Sequence, residues 1–170
     1  MAAYTADNYH LSATYTTQQG NFGAYHYFST GGVYGSEDTD GVALRAWWRP
    51  DETGTAVPSV SVGYDTMTFD GATTTTSGFT EGNGYSVALN WSDMFQADDT
   101  IGVAFGQPIR GTKNTTASTK DVEPFIWEVY YSFKPNDSIE VVPGIFGGND
   151  VDTSTTQDLF GAVLTTVFRF

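Results

Sequence analysis

The sequence predicts an all-β fold: an antiparallel up-and-down transmembrane β-barrel, with residues 1–170 forming a single barrel region. Three observations carry that expectation. Segments alternating apolar and polar residues recur along the whole chain. The connections between them switch between compact turns and longer polar loops. No apolar run approaches the length of a transmembrane helix.

The closing segment alternates without a break. Phe160, Ala162, Leu164, Thr166, Phe168 and Phe170 fall on one side, and Val163, Thr165, Val167 and Arg169 on the other. A period of two marks a β-strand, and about 9–11 tilted residues cross the hydrocarbon of a membrane. An aromatic last residue is an ending associated with bacterial outer-membrane proteins. Phe168 and Phe170 are therefore expected to form a membrane-assembly signal, with the lipid bilayer and the outer-membrane assembly machinery as partners.

Taken in order, strands are expected near Tyr9–Thr17, Phe22–Phe28, Val42–Trp48, Ser59–Phe69, Tyr85–Trp91, Ile101–Gln107, Phe125–Phe133, Ser138–Phe146 and Leu159–Phe170. Apolar rows stand out within them: Tyr85, Val87, Leu89 and Trp91; Phe125, Trp127, Val129, Tyr131 and Phe133; Val60, Val62 and Tyr64. Turn chemistry closes Thr17–Asn21, Ser92–Asp99 and Lys134–Asp137. Arg49–Val57 is grouped with these turns by its place in the series. Ser29–Gly41, Asp70–Asn83, Arg110–Glu123 and Gly147–Asp158 read as longer polar loops. Short turns on one side and long loops on the other is the asymmetry of an outer-membrane barrel.

Nine strands cannot close with antiparallel pairing throughout, and bacterial single-chain barrels have an even number. Either the first segment stands outside an eight-stranded barrel, or the chain is the C-terminal part of a larger barrel. The second is favoured, because Tyr9–Thr17 alternates as well as its neighbours. Met1-Ala2-Ala3-Tyr4 also lacks the basic region and apolar core of a secretory signal.

Composition narrows the function classes. The net charge of −13 argues against nucleic acid as a partner, which needs a basic footprint. Cysteine is absent, so neither a disulfide framework nor a cysteine-ligated metal forms. His10 and His26 lie on different strands without ligand spacing, and Gly82-Asn83-Gly84 and Gly102…Gly106 lack the strand-to-helix context of a phosphate loop. Glu37-Asp38-Thr39-Asp40 lacks a full set of oxygen ligands. No metal or cofactor is expected. Glu128 and Glu140 are the carboxylates best placed for acid–base work. A three-residue turn sets them about 13 Å apart at about 3.3 Å per residue, beyond the about 5–9.5 Å of glycosidase pairs. No enzyme is expected.

Several segments resemble the C-terminal region of cyanobacterial members of the carbohydrate-selective porin family. They are Trp127–Asp137, Val142–Gly148, Asp158–Val163, Pro58–Tyr64, Asn90–Phe95 and Gly102–Pro108. The likeness runs from about Gly41 to Phe170; nothing matches the S-layer-homology segment or the first half of the barrel. It implies a sixteen-stranded outer-membrane channel, often trimeric, passing small hydrophilic solutes such as sugars or inorganic ions. In such a channel charges avoid lipid, so Arg45, Asp65, Glu128, Glu140 and Arg169 are expected to line the pore. A small structural barrel without an open pore and a soluble β-sandwich for binding or adhesion remain the rival readings.

Overall fold

The computed structural model describes residues 1–18, 39–69, 79–114, 123–150 and 158–169. They form nine antiparallel strands in one sheet, ordered as they occur in the chain. The strands are β1 (Ala2–Thr5), β2 (Tyr9–Gln18), β3 (Thr39–Trp48), β4 (Ser59–Phe69), β5 (Phe79–Ser92), β6 (Thr100–Asn114), β7 (Phe125–Asn136), β8 (Ile139–Asn149) and β9 (Leu159–Phe168). No helix occurs among the described residues, and none is therefore long and apolar enough to cross a membrane.

Several expected bounds are corrected. Ala2–Thr5 is a strand, too short for its alternation to register in the sequence, and it pairs with His10–Ala13. The strand expected at Phe22–Phe28 lies outside the described residues. Tyr9–Gln18 instead pairs directly with Thr39–Trp48. The polar ends read as loops are partly strand: Thr39–Gly41 extends β3, Phe79–Asn83 opens β5, Arg110–Asn114 closes β6 and Gly147–Asn149 closes β8. Backbone ladder bonds hold these ends whatever side chains they carry. β7 continues to Asn136, so the turn to β8 is Asp137-Ser138 rather than Lys134–Asp137.

Two of the register irregularities coincide with prolines. Tyr85 pairs with Gln107 and Asn83 with Arg110, leaving an extra residue in β6 at Pro108-Ile109. Phe133 pairs with Val141 and Asn136 with Ile139, leaving one in β7 around Pro135. Proline lacks an N–H, so a bulge is where a sheet accepts it at least cost. Gly106 fits the first irregularity for a second reason: a Cβ there would lie 2.3 Å from the Tyr85 carbonyl oxygen.

Directly paired residues share a face, so the register sorts the whole sheet. One face carries Leu11, Leu44, Val62, Leu89, Val129 and Leu164; the other carries Arg45, Asp65, Glu128, Glu140 and Val167. The apolar rows noticed separately along the sequence all land on the first face. That face is not covered: Leu164 keeps 68% of its surface and Phe160 70%. No second layer packs on the sheet among the described residues, and the only fully buried side chain there is Asp99. The sheet is open as well. β1 pairs only with β2, and β9 only with β8.

All turns within the described residues lie at one end of the strands: Ala6–Asn8, Arg49–Pro58, Asp93–Asp99 and Asp137-Ser138, beside Arg169. Residues 19–38, 70–78, 115–122 and 151–157 connect strands at the opposite end. With nine antiparallel strands, β1 and β9 run in the same direction.

Candidate functional site

The polar face is floored with small side chains. Across the middle of the sheet run Ser61, Ala88 and Ala104, with Gly63, Ser86 and Gly106 in the next row. A concavity of about 660 Å³ opens over this region, with Asp65, Ser86, Ala104, Glu128 and Phe146 in its lining.

Larger side chains lie flat over glycines on neighbouring strands. Arg45 crosses Gly63, where a Cβ would sit 3.3 Å from Arg45 Cδ. Tyr130 covers Gly102 so closely that a Cβ would fall 2.1 Å from its ring, and its hydroxyl donates to Asn90 Oδ1 at 2.8 Å. Phe146 covers Gly161 in the same way.

The five charged residues expected on one surface all face this way, and four of them pair off. Arg45 Nη2 donates to both Asp65 oxygens at 2.7 and 2.9 Å, while its Nη1 donates to the Leu44 carbonyl at 2.8 Å. Arg169 Nη2 donates to Glu140 Oε2 at 2.6 Å, and Ser132 Oγ donates to Glu140 Oε1 at 2.9 Å. Glu128 is apart from both pairs and has no ion pair among the described residues. The longer β7 corrects the carboxylate spacing. Val141 pairs with Phe133 and Phe146 with Glu128, so Glu140 lies six residues along β8 from the level of Glu128. That is about 20 Å at about 3.3 Å per residue, further than the sequence alone suggests.

The opposite face has its own order. Trp48, Trp91, Tyr131, Phe133 and Phe168 mark its turn end, and Tyr15, Tyr64, Tyr85, Phe105, Trp127 and Phe160 its far end. Between the two bands the residues are aliphatic, alanine, proline or threonine, with no charge. The bands are six residues apart on β5 and eight on β9, about 20–26 Å along a strand. Gly147 closes the far band: it lies between Trp127 and Phe160 in the register and lets their ring centroids approach to 6.3 Å. Phe168 thus joins the turn-end band, while Phe170 lies outside the described residues.

Asp99 is the residue that sequence reading missed. Its carboxylate accepts the backbone N–H groups of Met94, Phe95 and Gln96 at 2.8, 3.0 and 3.1 Å, and the Tyr131 hydroxyl at 2.9 Å. Asp93 and Asp98 flank it with φ of 58° and 62°, and Asp98 N–H donates to Asp93 Oδ1 at 2.7 Å. Burial alone raises the pKa of Asp99, but its hydrogen bonds outweigh burial and hold it below the ordinary carboxylate value. Asp93 is lowered too, first by a hydrogen bond from Thr53. Asp98 also meets Lys134 Nζ at 3.3 Å.

The remaining candidates have local partners. His10 Nδ1 lies 2.8 Å from Thr5 Oγ1, and its ring stacks on Trp47 at 6.1 Å. Of the acidic cluster, Glu37 and Asp38 lie outside the described residues, as does His26, and Asp40 accepts a hydrogen bond from the Tyr15 hydroxyl at 2.5 Å. Among the described residues no three His, Cys, Asp or Glu side chains gather as a metal site. Compared with models of known protein families, with curated proteins and with solved structures, the chain matches none.

Proposed function

We propose that this sheet is part of the wall of an outer-membrane β-barrel that lets small hydrophilic solutes, such as sugars or inorganic ions, diffuse passively. The observation that carries the reading is the sidedness of a sheet that has no core among the described residues. One face is uncharged between two aromatic bands, and every charge of the strand middles is on the other. A transmembrane barrel needs an outer apolar band about 25 Å tall with aromatic girdles at both interfaces. Strands inclined by about 35–45° leave about 14–21 Å between these girdles along the membrane normal, so the rings sit just inside the band's edges. A soluble sandwich would bury one face under a second sheet. No catalytic role is proposed: the two carboxylates best suited to one are about 20 Å apart.

The chain's place in this reading is the C-terminal part of a larger, sixteen-stranded and trimeric porin, and strand direction supports it. β1 and β9 run the same way, so all-antiparallel closure needs an odd number of further strands between them. A closed eight-stranded barrel of β2–β9 is the second reading. Those strands are 10 to 15 residues long against four in β1, and the two at the ends are antiparallel to each other. It requires β1 to leave the edge of β2 that it now occupies.

Spin labels test the reading. In the protein reconstituted into lipid, labels at Leu89 and Val129 should meet oxygen dissolved in the bilayer, and labels at Ser86 and Tyr130 a water-soluble quencher. The reverse pattern, or none, would overturn the membrane assignment.

A further inference from the structure

We propose that Glu128 sets a preference for cations over anions in the channel; the inference rests on the channel reading above. The charges on the polar face do not contribute equally. Arg45 is held by Asp65 and Arg169 by Glu140, each at 2.7 Å or less, so each pair presents a dipole rather than a net charge. Lys134 is turned toward Asp98 at the turn end. Glu128 is left as an uncompensated charge.

Its surroundings amplify that charge. Across β6 and β5 it faces Ala104 and Ala88, with Gly106 on one side and Gly102, covered by the Tyr130 ring, on the other, so no charged side chain stands on that flank at its level. It lines the concavity of about 660 Å³ and is exposed to it. Arg45 is four strands away, about 19 Å along the sheet at about 4.8 Å per strand, and Lys134 is six residues along β7, about 20 Å. Both distances exceed the Debye length of about 8–10 Å at physiological salt, so neither cation offsets Glu128 where a solute passes. A wall carboxylate with no partner raises the local concentration of cations and lowers that of anions.

Reversal potentials across planar bilayers in a KCl gradient test this on the assembled channel. The unmodified protein should pass K⁺ more readily than Cl⁻. Glu128→Gln should bring the permeability ratio toward one, Glu128→Lys should invert it, and Glu128→Asp should keep the preference. The double variant E140Q/R169Q, which removes a compensated pair, should leave the ratio unchanged. Absence of any conductance from the unmodified protein once it is assembled with the strands that close its barrel would defeat the channel reading itself. Conductance with a ratio indifferent to Glu128, or shifted equally by the double variant, would defeat this inference alone.

Discussion

At the scale of single residues, the polar face works by placing large side chains over glycine. Tyr130 lies over Gly102 and reaches Asn90. Gly102→Ala is expected to displace the ring and break that hydrogen bond, at about 1–3 kcal/mol for overpacking, read as a lower denaturant midpoint in detergent. Asp99 acts by charge. Its folded pKa lies below the unfolded value of about 3.9, so the stability it provides is complete above that value and is lost as pH falls through the folded pKa. Acid titration should loosen the Asp93–Asp99 turn over that range, and Asp99→Asn should flatten the response, followed through exchange of the Met94 and Phe95 amides. The opposite face tolerates no charge: Val129→Arg should cost about 2–4 kcal/mol of folding free energy in vesicles, whereas Ser86→Arg, on the polar face, should cost far less.

At the scale of the element, the strand middles were legible and the strand ends were not. Tyr85–Trp91 announces itself by strict alternation, but Phe79-Thr80-Glu81-Gly82-Asn83 reads as a loop. What holds those residues extended is the ladder to Arg110–Asn114, a partner that no local pattern contains. Ala2–Thr5 escaped for the same reason: four residues are too few for a period, yet His10–Ala13 is there to receive them. The charged surface was legible because a charge can occupy only one side of an alternating strand. How it pairs was not, since Arg45 and Asp65 meet across a register that had to be seen. Asp99 was hidden among equally acidic neighbours, and closure of the turn alone singles it out. The last strand carries its own prediction. Replacing Phe170 with Asp should reduce assembly into the outer membrane far more than it changes strand content, measured by membrane fractionation beside circular dichroism.

At the scale of the whole molecule, the sheet formed by the described residues has two edges and no core among them. Unpaired backbone groups cost several kcal/mol each in lipid, so β9 and the upper part of β2 need partners before the sheet can reside there. The isolated chain is expected to aggregate, to self-associate or to await further strands. Steady channels from a monomer would contradict a fragment of a wide barrel, while a sealed, heat-resistant monomer would select the eight-stranded alternative. Sedimentation in detergent with single-channel recording separates the three outcomes.

The order of the strands also bears on how the sheet comes to exist. Because each strand pairs only with its neighbours in the chain, every pairing joins segments close in sequence, as across Asp137-Ser138, Asp93–Asp99 and Arg49–Pro58. Closure entropy grows only as the logarithm of loop length. Joining β3 to β4 across Arg49–Pro58 therefore costs only about 0.3 kcal/mol more than joining β5 to β6 across Asp93–Asp99. Pairing of this kind can advance like a zip from the tightest hairpin, β7–β8, one strand at a time in either direction. Each newly added strand then exposes the edge that templates the next, so growth stops only where a partner for the final edge is found.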